Sequence, residues 1–248
     1  MKYLRRFGQF INESSRLTRL GLIRLSEEQE EALSDCVSGT WEFDPNTGLV
    51  NVDGNFDASY SYSRKFNGIR FGTVSGDFYC SRAEVTSLDG APQWVGGNFF
   101  CSHNQLTNLI GAPHRVEGGF YCADNGLTSL EGAPVYVGGS FFCNSNKLTS
   151  LKGAPEWVGG SFDCGWNHLT SLEGSPQEVR GSFDCGVNRL TSLEGAPHRV
   201  VGEFNCSPND KLKSLAGIPK LRHVKVPMEL WGQINQMKEA AKKLELEE

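Results

Sequence analysis

Residues 141–161 read FFCNSNKLTSLKGAPEWVGGS, and residues 162–182 repeat the same plan as FDCGWNHLTSLEGSPQEVRGS. The two stretches share a phenylalanine, a cysteine two residues later, an asparagine, a Leu-Thr-Ser-Leu segment and a Gly-x-Pro turn. Seven cysteines keep this 21-residue interval along the chain: Cys80, Cys101, Cys122, Cys143, Cys164, Cys185 and Cys206. A fixed period of this length predicts a solenoid, in which each repeat forms one turn of a stacked coil.

The repeat has a simple physical interpretation. In Phe-x-Cys, alternate residues of a short strand point to opposite faces, so the phenylalanine and the cysteine face the core and x faces outward. The asparagine three residues after the cysteine is expected to bond the backbones of adjacent turns, because a buried amide must find partners. Glycine and proline supply the turns that close each repeat.

The order of these residues resembles the leucine-rich repeat. Phe99, Cys101, Asn104 and Leu106 fall on four of its fixed positions, and Gly96 stands where that family has its first leucine. The short Leu-Thr-Ser-Leu-x-Gly-Ala-Pro tail is similar to the short bacterial type of this repeat. Over about residues 50–226, the resemblance implies a mainly β, right-handed coil with a parallel sheet on its concave face.

The segments flanking the repeats predict the domain organisation. Residues 1–25 form a basic arm, 26–58 an N-terminal cap, 59–226 the repeats, and 227–248 a C-terminal capping helix. In the first cap, Ser26 and Gln29 form a capping box for a helix from 27 to 37, and 39–52 read as a hairpin before a worn repeat. In the C-terminal cap, the predicted apolar face of the helix consists of Leu230, Ile234, Met237, Ala241 and Leu244.

Composition narrows the functional classes. The 248 residues carry a net charge of −5, which argues against a nucleic-acid partner. No stretch is apolar enough to span a membrane, and residues 1–12 do not read as an export signal. We therefore expect a protein of a bacterial cytoplasm or a virion, with reduced thiols.

The cysteine column reads as buried apolar packing, because it lacks the closely spaced pairs typical of zinc sites. No phosphate-binding, dinucleotide-binding, metalloprotease or nucleophile-elbow motif is present. The sequence therefore predicts no cofactor, no metal and no enzymatic activity.

The position between the phenylalanine and the cysteine is the most informative one. It holds four aromatic residues and then two acids: Tyr79, Phe100, Tyr121, Phe142, Asp163 and Asp184. The position two residues after the cysteine, which includes His103 and Trp166, is predicted to lie beside it. A patch of exposed aromatic side chains is typical of an interaction site, although an aromatic ladder can also serve the sheet itself. We predict partner binding here, with the acids recognising a basic group.

A second face competes with this one. Trp94, Tyr136 and Trp157 share one repeat position, which is predicted to lie on the convex surface. The sequence alone does not decide between the two faces.

The N-terminal segment adds an independent signal. Residues 1–14, MKYLRRFGQFINES, are similar to the cleaved leaders of proteins packaged in the heads of large tailed bacteriophages. Phe10-Ile11 and the tripeptide 11–13, with Ser14 after the implied cut, carry this resemblance. The repeats are also similar to phage-encoded repeat proteins. The sequence thus predicts a phage-encoded, non-enzymatic module that binds a host or virion protein; the alternatives are a structural or head-packaged virion component and a carbohydrate-binding protein.

Overall fold

The chain folds as a parallel β-solenoid. A computed structural model describes residues 23–59, 66–218 and 224–236. Eight turns follow one another, each marked by an inward-facing phenylalanine: Phe56, Phe78, Phe99, Phe120, Phe141, Phe162, Phe183 and Phe204. The predicted 21-residue repeat solenoid is therefore confirmed.

Helix α1 spans Glu27–Cys36 and begins with the predicted capping box. The Ser26 hydroxyl accepts the Gln29 amide N–H at 3.2 Å, and the Gln29 side chain accepts the Ser26 N–H at 2.9 Å. These two bonds satisfy backbone donors that a helix N-terminus leaves free.

The predicted hairpin follows the helix. Strand β1 (Val37–Asp44) pairs antiparallel with β2 (Leu49–Asp57), and Asp44 holds the turn by accepting the Asn46 and Gly48 N–H groups. The end of β2 then runs in parallel register with the first full repeat, and Ala58 is buried in the position of the cysteine. The second strand of the hairpin thus pairs antiparallel with β1 and parallel with the first full repeat.

Each repeat contributes two short strands, which stack in parallel and in register on the strands of the next turn. The first ladder contains β3 (Phe71–Val74), β5 (Trp94–Val95), β7 (Arg115–Val116), β9 (Tyr136–Val137), β11 (Trp157–Val158), β13 (Glu178–Val179) and β15 (Arg199–Val200). The second ladder contains the end of β2, then β4 (Phe78–Tyr79), β6 (Phe99–Phe100), β8 (Phe120–Tyr121), β10 (Phe141–Phe142), β12 (Phe162–Asp163), β14 (Phe183–Asp184), β16 (Phe204–Asn205) and β17 (Val224–Lys225). Gly96, which stands where the leucine-rich repeat has its first leucine, lies between the two ladders.

A column of glycines separates the ladders: Gly76, Gly97, Gly118, Gly139, Gly160, Gly181 and Gly202. Each glycine from Gly97 onward donates its N–H to the carbonyl of the glycine one turn before it, at 2.8–2.9 Å. A Cβ at Gly139 would lie 2.7 Å from the Gly119 nitrogen, closer than real Cβ contacts allow. The column therefore fixes where the two ladders meet.

The predicted asparagine column bonds adjacent turns. The Asn146 amide oxygen accepts the Leu127 N–H of the preceding turn, and its nitrogen lies within hydrogen-bond distance of the Cys122 and Cys143 carbonyls. The last repeat has one additional residue, since Leu212 follows Cys206 by six positions where earlier leucines follow by five. This residue falls after Asn209, so Asn209 makes the same bonds as the asparagines before it.

The described C-terminal segment consists of a 3-10 turn at Met228–Leu230 and helical residues 231–236. Leu230 and Ile234 are buried, and the Gln233 side chain bonds the Leu215 N–H and the Lys213 carbonyl. The rest of the predicted apolar face, Met237, Ala241 and Leu244, lies outside the described residues. Residues 1–14, which resemble phage head leaders, also lie outside them.

Candidate binding surface

The second ladder presents one continuous outward column, which we call the stripe: Tyr79, Phe100, Tyr121, Phe142, Asp163, Asp184 and Asn205. Parallel register places each member directly beside the next, and all seven are half-buried. At a strand spacing of about 4.8 Å, six intervals give a length of about 29 Å. The structure therefore brings six of the predicted site residues into one line.

The aromatic end of the stripe is a stack of rings. Tyr79, Phe100 and Tyr121 lie with successive centroids 4.8 Å apart and nearly parallel planes, whereas Phe142 meets Tyr121 edge-on at 79°. The Tyr79 hydroxyl donates to Asp77 at 2.7 Å, and this bond raises the pKa of Tyr79 to about 12. Because the stacked rings cover one another's faces, the first three rings present mainly their edges.

The acidic end of the stripe contains two carboxylates in register. Asp163 Oδ1 accepts the Gly165 N–H at 2.9 Å, and Asp184 Oδ1 accepts the Gly186 N–H at 2.8 Å. The other Asp184 oxygen accepts the Asn205 side-chain amide at 2.8 Å. Burial, reinforced by the charge of Asp184, raises the pKa of Asp163 to about 6, although its bond from Gly165 opposes the shift.

A second column lies just beyond the strand ends and adopts an unusual backbone. The residues two positions after the first six repeat cysteines have φ between 52° and 57°, in the left-handed region: Arg82, His103, Asp124, Ser145, Trp166 and Val187. None is a glycine or an asparagine, the residues that usually occupy this region, and a left-handed φ is strained for a β-branched residue such as Val187. We call this the left-handed column; it contains His103 and Trp166, the other two predicted site residues.

Side chains of the left-handed column point to solvent at several places. Trp166 is 66% exposed, the highest value for any aromatic residue in the described ranges. His103 Nδ1 lies 3.8 Å from Asp124 Oδ2, and both side chains are partly exposed. The column thus displays a different chemical group on each turn.

The first ladder has its own outward column, which holds Trp94, Arg115, Tyr136, Trp157, Glu178 and Arg199. Its groups bind one another. The Arg115 guanidinium lies 3.8 Å from the Tyr136 ring centre and bonds Glu117, which also accepts from the Trp94 indole.

The same column continues with Tyr136 and Trp157, which stack at 5.3 Å. Arg180 lies 5.2 Å from the Trp157 ring centre, and Glu178 binds both Arg180 and Arg199. The rings of Tyr136 and Trp157 are therefore covered by each other and by the arginines beside them, Arg115 and Arg180.

The cysteine column lies inside the solenoid. The seven cysteines of the repeats are buried and free, and burial raises the pKa of their thiols. Four of the thiols lie 3.2–3.6 Å from a backbone carbonyl of the following turn. These side chains pack between turns, as the sequence predicted.

The described ranges contain no group of three or more His, Cys, Asp or Glu side chains that could hold a metal ion. No helix within them is long and apolar enough to cross a membrane.

Comparisons with protein families, with curated proteins and with solved structures found no match for this chain. Function must therefore be inferred from the surface itself.

Sequence reasoning missed the left-handed backbone beside the stripe and the mutual pairing in the first ladder. The first gives no sequence signal here, because the usual glycine or asparagine is missing. The second has a faint signal, because the repeat position of Trp94 also holds charged residues in other turns, namely Arg115, Glu178 and Arg199.

Proposed function

We propose that this chain is a non-enzymatic protein-binding module that engages its partner through the stripe and the adjacent left-handed column. The observation that carries the proposal is the change of chemistry along one register: four rings are followed by two carboxylates at the same outward position. Half-buried aromatic anchors beside charged groups are typical of the energetic centre of protein interfaces.

The internal repeats support this assignment. The inward columns keep the same residue type turn after turn, because packing demands it: phenylalanine, cysteine, valine and leucine are buried throughout. The left-handed column instead varies among Arg, His, Asp, Ser, Trp and Val. A structural role would be met there by repeated glycine or asparagine, so the variety and the strain favour selection for recognition.

We extend the proposal to a phage-encoded protein of the leucine-rich-repeat-like type, whose partner is a host or virion protein. The repeat pattern and the resemblance of 1–14 to phage head leaders support this origin. The same leader resemblance favours a second candidate, a component packaged in the virion head.

Recovery from purified particles of a form that begins at Ser14 supports the virion candidate. A uniformly intact Met1 end counts against it.

Carbohydrate binding is the weaker alternative. Sugars pack on the faces of aromatic rings, and the faces of Phe100 and Tyr121 are occupied by neighbouring rings. Silence on a glycan array would remove this option.

The experiment that tests the proposal is affinity capture from bacterial lysate with three forms of the full chain at equal folded content. They are the wild type, the stripe variant Phe100→Ala/Tyr121→Ala, and the matched control Tyr136→Ala/Trp157→Ala in the first ladder. We expect the stripe variant to lose a partner that the control keeps, with affinity reduced by about thirtyfold or more for a central anchor pair.

Equal capture by all three forms would move the site away from the stripe. A stripe variant that unfolds, as judged by circular dichroism, would show instead that the rings serve the sheet.

A further inference from the structure

We infer that the occupant of the stripe is an amphipathic helix of the partner, lying along the solenoid axis, with apolar side chains on the rings and a basic side chain on Asp163 and Asp184. This inference rests on the proposed function and names the partner's chemistry. Three observations carry it: the spacing of the stripe, the missing side-chain donor at its acidic end, and the acidic charge of the chain outside residues 1–24.

The spacing selects a helix. Successive stripe rings lie 4.8 Å apart. A helix running along the stripe offers one side chain per turn of about 5.4 Å, a mismatch of about 0.6 Å per step. An extended strand repeats its same-face side chains at about 6.7 Å, so it loses register after two turns.

At the acidic end of the stripe, Asp163 lacks a side-chain donor of the kind that Asp184 has. Asp184 receives a hydrogen bond from Asn205 on the next turn. Asp163 has Phe142 on one side and Asp184 on the other, and neither side chain can donate to it. A guanidinium or ammonium group placed between the two carboxylates would supply the donors and reduce their repulsion.

The backbone beside these acids is closely packed. Position 165 and position 186 are glycines, where other turns carry serine, alanine or asparagine. A Cβ would lie 3.2 Å from Asp163 Oδ1 at Gly165 and 2.5 Å from the Ser207 carbonyl at Gly186. Both glycines are buried against the backbone of the next turn, and each donates its N–H to the acid two residues before it, so they hold the two carboxylates in place. The exposed Trp166 follows Gly165 directly in the chain.

The overall charge agrees with a basic partner. Residues 1–24 carry six basic residues and one acid, so the remaining 224 residues carry 18 basic and 28 acidic side chains, a net charge of −10. Charge of this sign steers a cationic segment toward the surface before contact.

The test uses the full chain and synthetic helical peptides. The first peptide carries leucine at i, i+4 and i+7 and arginine at i+11 on one face of an alanine- and glutamine-rich helix. The second replaces that arginine by glutamate, and the third moves it to the opposite face. We expect the first peptide to bind about tenfold more tightly than the other two by isothermal titration.

Two variants with the same change of charge test whether the preference for the first peptide depends on the acids of the stripe. Asp163→Asn/Asp184→Asn is expected to bind all three peptides alike, whereas Glu131→Gln/Glu194→Gln, which makes the same charge change at exposed positions off the stripe, keeps the preference. Peptides that bind the wild type within twofold of one another, or not at all up to millimolar concentration, would overturn the inference. The capture experiment with Phe100 and Tyr121 would still stand, so the two failures are distinguishable.

One competing occupant is the chain's own basic arm. If it held the stripe, the variant Lys2→Gln/Arg5→Gln/Arg6→Gln would bind the first peptide several-fold more tightly than the wild type. That result would overturn binding of a partner helix, and unchanged affinity supports it.

Discussion

The two outward columns of this solenoid have the same spacing and a similar share of aromatic residues, yet they differ in what remains for a partner. In the first ladder, Arg115 covers Tyr136, Trp157 stacks on its other side, and Glu117 and Glu178 pair with arginines. In the stripe, the rings stack only on one another and the carboxylate of Asp163 faces a second carboxylate. Aromatic content alone therefore does not identify a binding surface; the pairing of each group with its neighbours does.

The difference arises from the order of residues along each column. Alternation of cations, rings and acids lets the first ladder satisfy itself, as cation–π contacts and ion pairs require opposite partners at adjacent positions. The stripe instead groups like with like. Such blocks gain less from internal contacts, which is consistent with side chains kept for an external partner.

The largest expected effect comes from a substitution between the two ladders, which disturbs both outward columns. Gly139→Ala places a Cβ 2.7–2.8 Å from backbone atoms of the preceding turn, between the two ladders. We expect the free energy of unfolding to fall by about 2–3 kcal/mol, since backbone at such a contact cannot move aside. Urea denaturation measures it.

The control is Gly126→Ala, whose Cβ meets only the Leu106 carbonyl at 3.4 Å. It should change stability by no more than about 0.5 kcal/mol. Equal effects of the two substitutions would contradict the role of the glycine column.

The second largest expected effect concerns Asp163, at the acidic end of the stripe. Asp163→Asn keeps an oxygen for the Gly165 N–H, as Asn205 does for Ser207, and offers an N–H to Asp184. We expect it to stabilise the fold at pH 7.5 by about 1–2 kcal/mol, because it removes a partly buried charge. A destabilised variant would mean that the carboxylate is well solvated.

The same residue predicts a pH dependence of stability. The pKa of Asp163 is raised to about 6 in the folded chain, so the folded state binds this proton more tightly than the unfolded state. Its contribution to stability is fully present below the unfolded pKa of about 4 and is lost as the pH rises through 6. Thermal melts between pH 4 and 7.5 should show this component in the wild type and not in Asp163→Asn.

The smallest effect concerns the left-handed column. Val187→Gly relieves a strained backbone at φ 52°, and we expect a gain of about 0.5–1 kcal/mol after the entropy of glycine is subtracted. Val135→Gly, at an exposed valine outside the left-handed region, should lose a similar amount. If both valines respond alike to denaturant, strain at position 187 is refuted.

The sequence predicted the inward half of this molecule because packing repeats. Phe99, Cys101, Asn104 and Leu106 occupy positions where each turn meets its copies, so identical environments preserve identical residues. The hairpin turn at Asp44 and the capping box at Ser26 could also be predicted from the sequence, since both depend on hydrogen bonds between residues close in the chain.

The outward half was predictable only in part. The register of the stripe follows from alternation in Phe-x-Cys. The shared position of Trp94, Tyr136 and Trp157 was also visible, but the contacts between neighbouring turns that cover these rings were not. The backbone at Trp166 and Val187 is set by contacts with the next turn and has no local signal. Handedness, curvature and the N-terminal and C-terminal domain boundaries remain predictions.

The central claim is that the stripe, and not the first ladder, meets the partner. Site-resolved photo-crosslinking tests it most directly, with p-benzoylphenylalanine placed at Phe142 in one form of the full chain and at Tyr136 in another. In the same bacterial lysate, we predict one dominant crosslinked protein from position 142, competed by unlabelled wild type, and none from position 136. A competed crosslink from position 136 alone would contradict the account.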